Sequence, residues 1–336
     1  MPAIKKSYFS FEKPVRDEAA RLGLRHVLAT VSGGADSVAL LAALKNITQH
    51  PTPNTQHPSP TTHHLKTTAL HCNFHLRGEE SMRDQRHVEN LCRKLGVDLI
   101  VKDFDVAAYM TLHPGISTEM ACRELRYEWF REQRIALEAD RIATGHNADD
   151  NIETLLLNLF RGSGTTGLRG MLPDTGEIWR PLLPFHRTQI LDYLKEKDLD
   201  YITDSTNLSS DYRRNFLRNE VLPLLRTRWP GLDTALDRSI RLIREDNAVV
   251  TAALDKILKA SHPSPTTHQP PAITVEDILT FPAPELLVRR FIDPLRPRTT
   301  TAAEILAAIR AAKPHARTWA LPLGTVTLRA AKLTLI

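Results

Sequence analysis

The stretch Val27-Leu-Ala-Thr-Val-Ser-Gly-Gly-Ala-Asp-Ser37 decides the fold class of this chain. Its first half is apolar and β-branched, which predicts a buried strand. A glycine turn follows, and a helical pattern over residues 35–46 starts directly behind it. The stretch therefore predicts a strand, a tight turn and a helix, which together begin a βαβ arrangement.

The same alternation of strand and helix continues to residue 160. Predicted strands cover residues 69–74, 98–104 and 141–144, and predicted helices cover 80–95, 118–138 and 147–160. Strands separated by helix-length segments form right-handed crossovers in a parallel sheet that is buried on both faces. We therefore predict an α/β fold, with ligands bound beyond the carboxyl ends of the strands.

The alternation ends after residue 180, and the rest of the chain has a different pattern. Helical periodicity dominates up to residue 311, and the tail alternates apolar and polar residues around Gly324, as a β-hairpin does. We predict an α/β domain over residues 1–210 and a smaller, mostly helical domain over 211–336 that ends in a short hairpin.

Two low-complexity insertions, at residues 48–66 and 259–272, interrupt these domains. Both contain the heptapeptide His-Pro-Ser-Pro-Thr-Thr-His, which starts at His57 and again at His262. Two copies are too few for a solenoid. We interpret them as flexible surface insertions. A weak metal-binding tract is the alternative, because histidine clusters can ligate metals once they are ordered.

The composition is that of a globular protein. Of the 336 residues, 42% are hydrophobic and 25% are charged, which excludes wholesale disorder. No apolar run suits a membrane span or a signal peptide, so we expect a cytoplasmic protein without membrane contact. Cys72, Cys92 and Cys122 have neither disulfide nor metal-site spacing. A net charge of +5 permits a polyanionic partner without requiring one.

The glycine loop is the first candidate binding site. At a strand-to-helix junction such a loop can aim its backbone N–H groups at an anion. The alternative is a tight turn whose Asp36 and Ser37 only cap the helix. The Gly-Lys-Ser/Thr ending of a Walker loop is absent. Because an anionic Asp36 would repel phosphates, we expect Mg²⁺ between them. The predicted phosphate cradle consists of Ser32, Gly33, Gly34, Ala35, Asp36 and Ser37.

An acidic helix start is the second candidate. Asp150 and Glu153 are three residues apart, so they share a flank of the predicted helix, and His146 precedes them. Acids are also common at helix N-termini for electrostatic reasons alone, which is the alternative interpretation. Paired carboxylates suit an ammonium group, and a histidine beside them could accept a proton from an amine that must become a nucleophile.

Arginines provide the third set of candidates. Arg123 and Arg126 suit a clamp on phosphate groups, or else form a solvated helix face. The Arg-Gly-Ser-Gly segment at residues 161–164 is a helix C-cap or a loop that closes over substrate. Residues 205–230 hold five arginines against two acids, and Arg214 and Arg218 are four apart. These favour phosphate contacts to a nucleic acid, with a solvated face as the alternative.

Taken in order, these motifs resemble the tRNA(Ile)-lysidine synthetases of the PP-loop ATP pyrophosphatase superfamily. The resemblance is strong over about residues 24–230 and weak beyond. The glycine loop is common to PP-loop enzymes, whereas the segment 204–215 is specific. The matching residues are 32–37, Leu76-Arg77 with Glu80-Ser81 and Asp84, Arg123, Arg126-Tyr127, 145–154, 161–164, 180–183, and 204–207 with Arg214-Asn215.

The resemblance implies two reactions on the wobble cytidine of a minor tRNA(Ile) with the anticodon CAU. ATP would adenylate the C2 oxygen and release diphosphate, and the ε-amine of L-lysine would then displace AMP. The resemblance also assigns roles. Residues 32–37 and Arg123 would hold ATP, Asp36 would hold Mg²⁺, and Asp150 and Glu153 would hold lysine.

The remaining implied roles concern the reacting groups and the RNA. Asp36, Arg126 and His146 would lie beside the reacting groups, while the group that takes the amine proton is left open. A homodimer is compatible with the resemblance. The expected tRNA contacts are Arg161, Arg180, Arg213, Arg214 and Arg218.

Two features depart from the family pattern. Cys72-Asn-Phe-His75 stands where the family more often has Asp-His-Gly before Leu-Arg, which leaves the contacts around the adenine open. The chain also resembles a short form, because longer members continue into another domain.

Two other functions are the alternatives. One is a different PP-loop enzyme, either a tRNA thiolase, which should have a Cys-x-x-Cys pair or a persulfide cysteine, or an amidating synthetase that uses ammonia. The other is a non-catalytic ATP-binding module, which would keep the glycine loop without needing the acidic helix start and its histidine.

Overall fold

The computed structural model describes residues 4–49, 65–203, 213–261, 270–298, 300–311 and 316–336. The greater part of both predicted insertions lies outside these ranges, and so does the motif at residues 204–207. The described chain divides into two compact units, Met1–Leu242 and Ile243–Ile336. The predicted boundary at 210/211 follows the end of the strand–helix alternation and stays a prediction.

The first unit contains a parallel sheet, which confirms the predicted α/β fold class. Among its described residues, strands pair in the order β3-β2-β1-β4-β5, and every pairing is parallel. The carboxyl ends of the strands therefore meet at one edge. The strands are β1 (His26–Thr30), β2 (Lys66–Asn73), β3 (Asp98–Asp103), β4 (Arg141–Ala143) and β5 (Ile178–Trp179).

The helices of the first unit cover both faces of this sheet. They are α1 (Ile4–Arg21), α2 (Ala35–Gln49), α3 (Glu79–Leu95), α4 (Val106–Leu112), α5 (Thr118–Ala136), α6 (Ala148–Phe160), α7 (Thr165–Leu168), α8 (Arg187–Glu196), α9 (Arg213–Phe216), α10 (Leu222–Arg228) and the start of α11 (Leu232–Ser261). A π-helical turn, Leu217–Val221, joins α9 to α10. Helix α1 and the short strand β5 are elements that the sequence analysis did not predict.

The central strand β1 shows why the sheet is buried on both faces. Val27 and Ala29 pack into the hydrophobic cluster that contains α2 and α8 residues, whereas Leu28 packs into the cluster around Trp129 on α5. Val27, Leu28 and Ala29 are fully buried. Successive side chains of a strand point to opposite faces, so an unbroken apolar run fits a strand with helices on both sides.

The second unit joins short helices to an antiparallel sheet. Its strands pair in the order β6-β9-β8-β7, so the predicted hairpin is present and the chain adds two further strands to it. Leu287, Phe291, Ile305, Val326 and Leu333 belong to its core. The elements are β6 (Ala272–Thr274), α12 (Val275–Thr280), α13 (Pro284–Ile292), a 3₁₀ turn (Asp293–Leu295), α14 (Thr301–Arg310), β7 (Arg317–Leu321), β8 (Gly324–Arg329) and β9 (Lys332–Leu335).

Candidate active site

The glycine loop turns the chain from β1 into α2 at the carboxyl edge of the sheet. Gly33 has a φ of +91°, a conformation that favours glycine. The backbone N–H groups of Ser32 and Gly33 both donate to the Ser37 hydroxyl at 3.2 Å, and that hydroxyl donates to the Gly34 carbonyl at 2.8 Å. The backbone N–H groups of the loop thus converge on one oxygen at the start of α2. Sites that bind anions have this arrangement.

A second loop, between β4 and α6, lies directly against this helix start. A Cβ atom on Gly145 would be 3.1–3.2 Å from backbone atoms of Asp36 and Ser37, so only glycine allows this approach without displacement. Asn147 follows and donates from its side-chain amide to Asp36 Oδ1 at 3.0 Å. The close approach brings the two predicted binding segments together.

Asp36 is partly buried between polar groups. Its Oδ1 accepts from Asn147, and its Oδ2 forms an ion pair with Arg187 at the start of α8. Burial raises the pKa of the Asp36 carboxyl, the cation of Arg187 opposes this, and the charge of nearby Asp150 adds to the rise. The fold therefore disfavours the charged form of Asp36. A raised pKa of this kind is typical of carboxyl groups at functional sites.

Arg187 is a site residue that the sequence analysis missed. It is the first residue of α8, and its backbone N–H also donates to Asp149 Oδ2 at 2.8 Å. A cation at a helix N-terminus opposes the helix dipole, so it needs an acidic partner. A basic residue at a predicted helix start is thus the one sequence feature that could have identified Arg187.

The acidic start of α6 combines a structural and an electrostatic role. Asn147 and Asp150 form a capping box, with hydrogen bonds of 3.0 and 3.1 Å between side chains and backbone N–H groups. Glu153, one turn further, is fully buried. Burial raises the pKa of Glu153, and ion pairs with arginines oppose the rise. The helix-terminus interpretation of Asp150 is thus correct, but it does not account for the buried Glu153.

Arg218 and Arg214 neutralise these two carboxylates. Arg218 donates from Nε to Glu153 Oε1 at 2.6 Å, and from Nη2 to Glu153 Oε2 at 2.9 Å and Asp150 Oδ1 at 2.7 Å. Arg214 Nε lies 3.2 Å from Glu153 Oε2, and its Nη2 donates to Thr154 at 2.8 Å. The structure thus brings the predicted lysine carboxylates and two of the predicted RNA-binding arginines into one cluster.

His146 lies at the end of β4, inside an electropositive environment. Its Nδ1 is 2.8 Å from the Thr144 hydroxyl. Burial lowers the pKa of His146 to about 4, and the nearby charges of Arg180, Arg214 and Arg123 contribute in the same direction. The imidazole is therefore neutral at pH 7.

The other predicted arginines fall into two groups. Arg123 lies 5.0 Å over the Tyr127 ring and Arg126 lies 5.2 Å over the Phe74 ring, both at the sheet edge. Arg180 donates to the Leu172 carbonyl at 2.8 Å. Arg180 Nε is buried and has no hydrogen-bond partner among the described residues.

Like Arg180, the predicted contacts Arg161 and Arg213 lie outside the cluster of Glu153 and Asp150. They form no ion pair with any residue that the structure describes. Arg161 caps the far end of α6, and Arg213 is the first residue of α9.

A second ion-pair network lies beside the acidic helix start. Arg226 on α10 pairs with Asp149 and, at 3.0 Å, with Asp233 on α11. His186 Nε2 lies 2.8 Å from Asp237. Spacing along the chain does not predict these pairs, because Asp149 lies 77 residues from Arg226 and His186 lies 51 residues from Asp237.

The described residues also bear on metal binding and on membrane insertion. No group of three or more potential metal-ligating side chains is present among them. A single carboxylate such as Asp36 nevertheless fits Mg²⁺, which commonly uses one or two carboxylates together with substrate phosphates. None of the helices in the described part of the chain has the length and apolar character that crossing a bilayer requires.

The chain is similar to known proteins over most of its length. A model of the PP-loop domain matches residues 6–225. A tRNA(Ile)-lysidine synthase of Bacteroides thetaiotaomicron is 40% identical over 80% of this chain and 58% of its own. One of Chlorobaculum tepidum is 40% identical over 70% of this chain and 68% of its own. The chain thus spans less than two thirds of the Bacteroides relative.

A solved structure extends the comparison to the fold. A U34-tRNA thiolase from Methanococcus maripaludis has a TM-score of 0.56 and 18% identity, over 72% of this chain and 80% of that one. At this identity the likeness concerns the fold alone. The sequence matches go further: this chain belongs to the PP-loop family and, within it, to the tRNA(Ile)-lysidine synthases.

Proposed function

We propose that the protein ligates L-lysine to C2 of the wobble cytidine in the CAU anticodon of minor tRNA(Ile). ATP adenylates the C2 oxygen and releases diphosphate, and the lysine ε-amine then displaces AMP. The observation that carries the proposal is the contact of the glycine loop with the acidic helix start, through Gly145 and the Asn147–Asp36 hydrogen bond.

The ATP half of the site is the glycine loop with its nearby cations. The glycine loop would bind the triphosphate at the start of α2, where the Ser32 and Gly33 N–H groups now donate to the Ser37 hydroxyl. Arg123 would bind phosphate oxygens as a bidentate fork. Asp36 would hold Mg²⁺ through its carboxylate. When bound, the ion would neutralise phosphate charge and help diphosphate to leave.

The amine half of the site is the pair Asp150 and Glu153. Two carboxylates that already bind a guanidinium group are suited to an ammonium group of lysine. His146 stays neutral because its pKa is about 4, so it serves as a hydrogen-bonding group beside the reacting atoms rather than as a carrier of charge. Arg126, which lies over the Phe74 ring directly after β2, would also lie beside the reacting groups.

The RNA is held by cations around this edge. Arg161 and Arg213 lack ion-pair partners within the described chain, so they can bind phosphates without first losing a contact. Arg180, which donates to the Leu172 carbonyl, would add a further positive charge at this edge. As tRNA is the substrate, we place the reaction in the cytoplasm. A homodimer stays a prediction.

The cysteines of this chain are less consistent with a tRNA thiolase, which is the rival PP-loop enzyme. Burial raises the pKa of the Cys72 thiol to about 12 and that of Cys92 to about 11. A thiol that stays protonated at neutral pH is a poor sulfur carrier, because the thiolate is the reactive species. This observation favours an amine rather than a sulfur nucleophile.

The experiment supplies the purified protein with ATP, Mg²⁺, labelled lysine and an unmodified tRNA(Ile) transcript. We expect diphosphate and AMP to be released and the label to enter the transcript at the wobble cytidine. The matched control is the same transcript with uridine at that position, which should gain no label. ATP turnover without lysine incorporation would overturn the proposal in favour of another PP-loop reaction, and ATP binding without turnover would favour a binding module.

A further inference from the structure

Arg218 occupies the site that the proposed function assigns to the amine of lysine. Its guanidinium group makes three hydrogen bonds of 2.6–2.9 Å to Glu153 and Asp150. A cation of the protein itself thus already satisfies both carboxylates. Lysine can reach them only if Arg218 moves away.

The two partners differ in how far solvent reaches them. The Glu153 side chain is 1% exposed, whereas the Arg218 side chain is 38% exposed. An external anion can therefore reach the guanidinium group but not the carboxylate behind it. Phosphates of an RNA are such anions, and they bind guanidinium groups with the same bidentate geometry as carboxylates.

The backbone at Arg218 has an uncommon conformation. Arg218 lies in the π-helical turn Leu217–Val221, between α9 and α10. Single π turns are rare and occur frequently at functional sites. Such a turn can relax to a regular helix, which would shift the direction of the Arg218 side chain.

The buried carboxylate constrains what can happen when Arg218 leaves. An ionised group without a partner is strongly disfavoured in a protein interior, so Glu153 needs a replacement cation. The ammonium group of lysine is a cation of suitable size. The departure of Arg218 and the arrival of lysine therefore belong to one exchange.

We propose that Arg218 makes the binding of lysine depend on RNA: RNA phosphates draw its guanidinium group away, and the lysine ammonium group takes its place on Glu153 and Asp150. This inference rests on the proposed function. Because binding free energies are linked, lysine must also strengthen RNA binding by the same factor. Arg218 would then be a specificity-determining residue that prevents lysine from entering before its acceptor.

The test measures lysine binding by calorimetry, with and without an RNA stem-loop that carries the CAU anticodon loop. For the unmodified protein we expect the RNA to tighten lysine binding about tenfold or more, a typical allosteric factor. For Arg218→Ala we expect tight lysine binding without RNA and no further gain with it. The control is Arg226→Ala, which removes ion pairs to Asp149 and Asp233 but none to Glu153, and it should keep the RNA dependence.

Three outcomes are informative. If Arg218→Ala binds lysine no better than the unmodified protein without RNA, or still gains affinity from RNA, the exchange is overturned. If Arg218→Ala fails to fold, Arg218→Lys provides the second measurement. An ammonium group keeps the charge but lacks the bidentate geometry of a guanidinium group, so this variant should show a smaller RNA dependence. If the unmodified protein incorporates lysine but shows equal lysine affinity with and without RNA, the exchange fails while the proposed function stands.

Discussion

At the scale of single residues, burial shifts the pKa values of three titratable groups of the site away from their ordinary values. Burial raises the pKa of Asp36 and of Glu153 and lowers that of His146. At neutral pH the shifts of the two carboxyl groups cost folding free energy, since desolvation penalises their charged form, whereas the neutral His146 costs stability only in acid. Residues held in this way are typical of a site that binds ions rather than of a stabilising surface.

Asp36→Ala should abolish diphosphate release while leaving the fold intact. The ion pair with Arg187 is partly exposed, and its loss should lower the free energy of unfolding by about 1 kcal/mol or less. The measurements are diphosphate release with tRNA and lysine present, and thermal unfolding. Asp36→Asn is the matched variant, because it keeps the shape and a hydrogen bond to Asn147 without the charge. Turnover retained in both variants would remove Asp36 from the site.

His146→Gln should flatten the dependence of stability on pH between about 6.5 and 4. The folded pKa of His146 is about 4, below its ordinary value of 6.5, so the unfolded chain binds the proton more readily. Stability is therefore full above pH 6.5 and is lost as the pH falls, by at most about 1.4 kcal/mol per pH unit. Urea unfolding of both proteins over this range checks the slope, and equal slopes would contradict a buried neutral imidazole.

At the scale of elements, the site depends on two helix starts that touch. The N-terminal turns of α2 and α6 lie at the carboxyl edge of the sheet, and Gly145 allows their backbones to approach. Helix α8 contributes Arg187, and the π turn after α9 contributes Arg218. Helix α6 presents Asp150 and Glu153 to the same region as these residues, so small shifts of the elements change the ion pairs.

Gly145→Ala should impair both stability and ATP binding. The added Cβ would lie 3.1–3.2 Å from backbone atoms that cannot rotate away, and such overpacking costs about 1–3 kcal/mol. Gly164→Ala is the control for stability, because its Cβ meets nothing within 4 Å and its φ is negative. Thermal unfolding and ATP titration measure the effects. Equal behaviour of the two variants would mean that the helix starts do not need this contact.

At the scale of the whole molecule, electrostatics should govern the encounter with RNA. The chain has a net charge of +5, and residues 205–230 carry more arginines than acids. Two of those arginines, Arg214 and Arg218, bind Glu153 within the protein. Arg213 forms no ion pair with any described residue, and we propose that it contacts an RNA phosphate.

Arg213→Ala should weaken tRNA binding and reduce its salt dependence, with the affinity for ATP unchanged. Loss of one phosphate contact lowers the slope of log affinity against log salt by about 0.7–0.9. Filter binding at several salt concentrations measures this slope. Arg131→Ala is the control, because Arg131 already pairs with Glu177 at 2.9 Å. A slope that matches the unmodified protein would show that Arg213 does not contact phosphate.

The sequence by itself determined the local features of this protein. The apolar run Val27–Val31 with its glycines predicts strand, turn and helix, because propensity and periodicity act over neighbouring residues. The capping position of Asp150 and the parallel sheet follow from the same local rules. The tail hairpin was found in this way, whereas strand β5 was missed because two residues show no periodicity.

Only the tertiary structure decided which charges meet. Arg187 lies far along the chain from Asp36, as Arg218 does from Glu153, and no spacing rule joins them. The sequence presented Arg218 as a surface cation, but folding placed it on a buried carboxylate. The physical reason is that desolvation makes an unpaired buried charge costly, so the partner is selected by proximity in the folded protein rather than by distance along the chain.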